Sequence, residues 1–216
     1  MADWTTISSL ATAGGTLALA GATFSAVRSS NRSARVAEQA LQEQRRPVLI
    51  HARLDDPAQK IMFADGHWIR THGSEAVVDE EGGTAYLGLA LRNAGAGIAV
   101  LQGWYPWPEV VRADVGHRPP DEFRRQVRDI YIAPGDLGMW QGALHEPDGE
   151  LTGAIVAARS ERRAFAVDLL YSDQVGTQRT ISRFVITPAG EDRWLGNVGL
   201  HWNLDHAGPR SWPSRL

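Results

Sequence analysis

Seven histidines, a scatter of carboxylates and an aromatic–arginine cluster are the side chains here that could carry chemistry. His67 and His72 flank one short apolar run, and His201, Asp205 and His206 gather near the C-terminus. None stands at a metal-binding spacing such as His-Glu-x-x-His, so no metal site is predicted. Ser74, in HGSEA, lacks the Gly-x-Ser-x-Gly elbow of a nucleophile. Cysteine is absent, which removes disulfides, thiolate zinc sites and cysteine nucleophiles together. Asn93-Ala94-Gly95-Ala96-Gly97 lacks the third glycine and the following helix of a phosphate-binding fingerprint. It reads as a tight turn, with Asn93 bonding its own backbone and the glycines at positive φ. Asp168 and Asp173 bracket Tyr171; Asp173 reads as a turn former and Asp168 as a strand residue facing away from the core. No catalytic residue and no cofactor follows from these patterns.

The aromatics say more. WYPWP at 104–108 places Trp104, Tyr105 and Trp107 at one strand end, where the prolines make a rim. PPDEFRRQVR follows at 119–128. Large aromatics beside guanidinium groups have the composition of interface hot spots, set against the plainer reading of core packing. Trp104, Tyr105, Trp107, Phe123, Arg124, Arg125 and Arg128 are therefore the predicted contacts to a protein partner.

These residues need a scaffold. From Pro47 onward, short apolar runs alternate with Gly, Pro, Asn and Asp turns such as Asp65-Gly66, Pro134-Gly135-Asp136 and Asp148-Gly149. Many short strands with hairpin-sized loops predict an antiparallel, Ig-like β-sandwich over 47–205, with 206–216 as a tail. AFAVDLLYSDQVGTQRTISRFVI is the clearest hairpin, with its loop at Ser172–Gly176. Pro120, Asp121 and Glu122 suit a first helical turn, so a short helix is expected near 120–128.

Before Pro47 the texture differs. From Trp4 to Val27 there is no charge, and Arg28, Arg32 and Arg35 follow. Residues 1–27 read as a membrane span that places 4–27 in the lipid bilayer, with Trp4 at the interface. The acidic start, Met1-Ala2-Asp3, argues against a signal peptide. The arginines after the span predict a single-pass protein of the cell membrane with a cytoplasmic C-terminal domain. Gly14, Ala18, Gly21, Ala22 and Ser25 put small residues four apart, the spacing of a helix–helix contact and a possible homo-oligomer. Residues 28–46 read as a polar helical stalk with a thin heptad seam at Val27, Ala34 and Leu41, stopped by Pro47. The fold class expected is thus mainly β, preceded by a long N-terminal helix.

Leu87–Leu101 (LGLALRNAGAGIAVL), Ile130–Asp136 (IYIAPGD) and Val167–Thr180 (VDLLYSDQVGTQRT) together resemble an uncharacterised group of bacterial membrane-anchored proteins. The resemblance implies a span, a polar helix, an Arg-Pro junction and a β-sandwich with characteristic turns. It brings no catalytic residues. Lys60 is the only lysine among 22 basic residues, a bias that fits a GC-rich, actinobacterial genome.

The net charge of −3 excludes a nucleic-acid binder acting by bulk charge. The function expected is binding or scaffolding of a protein partner by a membrane-anchored domain. Two rivals stand beside it: a hydrolase using loop carboxylates or histidines, and a soluble oligomer with the first helix buried in the assembly.

Overall fold

A computed structural model of the chain describes residues 4–112, 114–145 and 149–205; the 206–216 tail and the first three residues lie outside them. The chain divides into two compact units, 1–44 and 45–216. The first contains one helix, α1 (Trp4–Gln44). Ala, Leu, Gln, Glu and Arg sustain it and no proline interrupts it. The span expected at 4–27 and the stalk expected at 28–46, as far as Gln44, are thus parts of one helix. Gly14, Gly15, Gly21 and the many Ser and Thr residues dilute its apolarity. No described helix is long and apolar enough to cross a membrane, so the single-pass expectation finds no support in α1. From Ala13 to Gln44 every described side chain is exposed.

The second unit is mainly antiparallel β. Its strands are β1 (Leu49–His51), β2 (Gln59–Met62), β3 (Trp68–Thr71), β4 (Glu75–Glu81), β5 (Thr84–Asn93), β6 (Ala99–Trp107), β7 (Arg124–Ile132), β8 (Leu137–Leu144), β9 (Phe165–Ser172), β10 (Arg179–Ala189) and β11 (Arg193–Asn203). One helix, α2 (Gly149–Ser160), lies between β8 and β9. The main sheet runs β1-β5-β4-β11-β10-β9-β6-β7, and β8 pairs along β5 from Ala85 to Arg92. Where two facing sheets were expected, the short pairing of Trp194 with Ala76 and Leu195 with Glu75 joins all these strands into one. That sheet curls as a half-barrel.

The curl encloses the core. Trp140, Tyr171, Phe165, Phe184, Leu87, Leu89 and Leu91 are fully or almost fully buried there, and α2 adds Ile155 and Ala158. Strand alternation supplies the other face. The hairpin of β2 and β3 covers one part of it, packing Ile61, Phe63 and Ile69 on Tyr86. Phe123, Leu170 and Ile181 pack on another part, with Tyr105 and Trp202 beside them. The helix expected near 120–128 is instead a single 3-10 turn, Pro120–Glu122, followed at once by β7. Phe123 turns to extended backbone (φ −72°, ψ 136°) and is buried on the sheet, which sets the strand direction.

Candidate functional site

The polar turns prove to be internal joints. The Asn93 amide is fully buried and donates to the carbonyls of Gly97 (2.6 Å) and Ile132 (3.0 Å). Its oxygen accepts the N–H of Val48 (3.2 Å) and Gly95 (3.0 Å). One side chain so ties β1, the β5–β6 turn and the end of β7. The glycines beside it do not take positive φ, contrary to expectation. They make room. A Cβ on Gly95 would stand 2.3 Å from the Arg46 carbonyl oxygen, and one on Gly97 1.7 Å from that of Arg45. The chain's own Arg-Pro segment occupies the space a phosphate would need. Arg92 reaches back to Asp56 and to the Gly135 carbonyl (2.7 Å), and its guanidinium holds the Asp56 carboxyl below its ordinary range. Asp173 accepts from the Gln178 N–H (2.8 Å) and the Thr177 hydroxyl (3.2 Å), closing the hairpin at Gly176 (φ 81°).

His67 and His201 are similarly engaged. His67 stacks on Tyr86 (3.9 Å, 17°), and its Nδ1 lies 2.7 Å from the Glu81 carboxylate. Tyr86 donates its hydroxyl to Asp65 at 2.5 Å, which lowers the Asp65 pKa and raises that of the tyrosine. These contacts clasp the β2–β3 turn onto β4 and β5. Among the described residues no cluster of three or more His, Asp or Glu could hold a metal. A serine–histidine contact does exist: Ser182 Oγ lies 2.6 Å from His201 Nδ1. Ser182 is completely buried, however, and also bonds the hydroxyl of Tyr171 (2.9 Å), which accepts the Leu49 N–H (3.1 Å). A sealed hydroxyl in such a chain is a structural tie, since a nucleophile must reach its substrate.

The seven residues predicted to meet a partner do not share one surface. Trp104 points into the core at 4 % exposure and meets Trp140 edge-on (5.3 Å). Phe123 is buried. Tyr105 and Trp107, on the opposite face of β6, line an open groove with Arg118, Leu151 and Ala154. Trp107 is also part of a buried network that the sequence reading missed. Its Nε1 donates to Asp168 (2.9 Å). The Arg183 guanidinium donates twice to Asp168, at 2.7 Å each, with the two side chains 2 % and 0 % exposed. It lies 5.0 Å from the rings of both Trp107 and Trp202, and donates to the Val115 and Gly116 carbonyls at 3.1 Å each. This network pins the β6–β7 loop to the sheet. Asp168 and Arg183 are register partners in the hairpin, so an acid alone in one apolar arm and an arginine amid the apolar run of the other were the available signal.

Arg124, Arg125 and Arg128 fall elsewhere, at an edge. β7 and β8 follow one another in sequence, joined by Pro134-Gly135, yet they do not pair. β7 pairs with β6 and β8 with β5, and each is paired on one side only. Among the described residues, side chains bridge the seam: Gln126 Nε2 donates to the Gln141 carbonyl (3.0 Å), and Arg128 to the Gln141 side chain (2.7 Å). Opposite the single residue Gln102 of β6, β7 carries four residues, Gln126 to Asp129, so its backbone bulges there. Val127 at the bulge is 86 % exposed. Beneath lies a groove of about 350 Å³ lined by Phe63, Trp104, Arg124, Arg125, Gly142 and His145 among others. Gln126 Oε1 is buried and has no hydrogen-bond partner. Compared with known proteins, the chain matches no family model, no curated protein and no solved structure.

Proposed function

We propose that the β unit is a binding module that takes up an extended, acidic peptide segment as an added strand along the free edge of β7. The observation that carries this reading is the seam itself: two consecutive strands, each paired on one side only, that leave their facing backbones unpaired to each other. Unpaired strand edges are templates for another chain, and folds that do not use them blunt them. Here the bulge limits self-pairing, while Arg124, Arg125 and Arg128 stand against one acid, Asp129, in the same strand. That balance favours a partner carrying Asp or Glu at alternate positions. The unpartnered Gln126 Oε1 offers an acceptor to an incoming N–H.

The test is a short peptide alternating Glu with Val, compared with its Lys–Val counterpart. The acidic peptide should bind and slow hydrogen exchange in β7. Val127→Pro removes a backbone donor at an exposed site, so it should abolish binding while leaving the melting temperature within a few degrees of wild type. Arg125→Glu should weaken binding and relax the charge preference. Equal binding of both peptides, or binding indifferent to Val127→Pro, would sink the proposal.

A further inference from the structure

The first unit poses a separate question: what covers α1? Leu10, Leu17 and Phe24 stand seven apart, and Ala13, Ala20, Val27, Ala34 and Leu41 form a second series three residues on. Alternate steps of three and four make this the a/d seam of a heptad repeat, with Asn31 and Glu38 continuing the first series. Leu17, Phe24, Val27 and Leu41 are 75 %, 69 %, 53 % and 48 % exposed, so these seam side chains are left uncovered among the described residues. A helix in water is held mainly by packing one apolar face, and this one runs unbroken for 41 residues.

We infer that α1 pairs in parallel with α1 of a second copy through this seam. Three features select that occupant. A heptad seam is complementary to itself. Asn31 sits at an a position, where a single asparagine fixes register and favours two parallel strands at some cost in stability. The area also suffices: a helix about 60 Å long and about 11 Å wide offers on the order of 600 Å² per partner, a total of roughly 1,200 Å². Glu38 at the next a position opposes its own counterpart and weakens that end. The small residues Gly14, Ala18, Gly21, Ala22 and Ser25 occupy e, b, e, f and b positions, off the seam, so a contact through them is a different interface.

The test uses the full chain in detergent-free buffer, followed by sedimentation equilibrium across concentration. Wild type should be dimeric at micromolar concentration. Leu17→Ser with Phe24→Ser should weaken the dimer at least tenfold, Glu38→Leu should tighten it, and Gly14→Leu with Ala18→Leu should leave it unchanged. Because the chain has no cysteine, single thiols report geometry directly. Ala34→Cys should oxidise to a covalent dimer and Val36→Cys, at an f position, should not. A monomer at every concentration, a higher oligomer, or cross-linking at Val36→Cys but not Ala34→Cys would overturn the inference. So would a chain that needs detergent to stay dispersed and dissociates on Gly14→Leu with Ala18→Leu, which would assign α1 to the small-residue contact of a membrane helix.

Discussion

Arg183 and Asp168 show how one residue pair can be more structural than its charge suggests. Both charges are buried, so neither can be removed cheaply. Breaking such a pair from one side leaves the other charge uncompensated and costs about 3–5 kcal/mol. Asp168→Ala and Arg183→Ala are each expected to lower the unfolding free energy from urea titration by that much, and Asp168→Leu with Arg183→Met to recover a large part of the loss. Equal damage from the double variant would mean that packing between Trp107 and Trp202, not charge, is what the site supplies. Asp56 behaves differently because its partner is reached from the surface. Its carboxyl is lowered below 3.8, first by the hydrogen bond from Arg92. A depressed carboxylate adds stability above its unfolded value, and that contribution vanishes as pH falls through the folded one. Asp56→Asn should therefore be less stable than wild type at pH 7, with the gap closing below about pH 3.8. Melting curves between pH 7 and 2.5 measure it, and a gap independent of pH would refute the assignment.

At the scale of elements, the Arg-Pro segment and the Asn93–Gly97 turn behave as one joint. The Cβ positions of Gly95 and Gly97 fall on the Arg46 and Arg45 carbonyls, so alanine at either must move backbone. Overpacking of this kind costs about 1–3 kcal/mol. Gly97→Ala is expected to destabilise by that amount, whereas Gly116→Ala, with open space around it, should be nearly silent. Equal melting temperatures for the two variants would contradict the joint. Much of this was legible in sequence. The β class, the β9–β10 hairpin, the turn role of Asp173 and the stop at Pro47 follow from local chemistry. What failed was local chemistry overridden by distance. Pro120, Asp121 and Glu122 suit a helix start, but the burial of Phe123 pulls the chain into β7. α2 went unread although Leu151, Ile155 and Ala158 share a face, and β8 was hidden by Gly138 and Gly142. Gly142 is there because a Cβ would stand 2.8 Å from the Trp104 ring, a contact that no local pattern announces. The same cause misled the reading of Trp104: its partner, Trp140, comes from a strand two elements away.

At the scale of the whole molecule, the two proposals taken together would make the chain a bivalent capture device. The second of two tethered binding events is intramolecular, so avidity exceeds single-site affinity by roughly 10²–10⁴ without any new contact. This separates the two proposals cleanly, because breaking the coil should touch avidity alone. The full chain carrying Leu17→Ser and Phe24→Ser should bind the free acidic peptide with wild-type affinity, read by fluorescence anisotropy. On a surface densely coated with the same peptide, the variant should dissociate about a hundredfold faster than wild type, the low end of the avidity range. If free-peptide affinity falls as well, α1 contributes to the peptide site itself. If dissociation from the dense surface is unchanged, each β unit works alone and the coil serves another end. Val127→Pro provides the complementary arm: it should erase binding in both formats while sedimentation still reports a dimer.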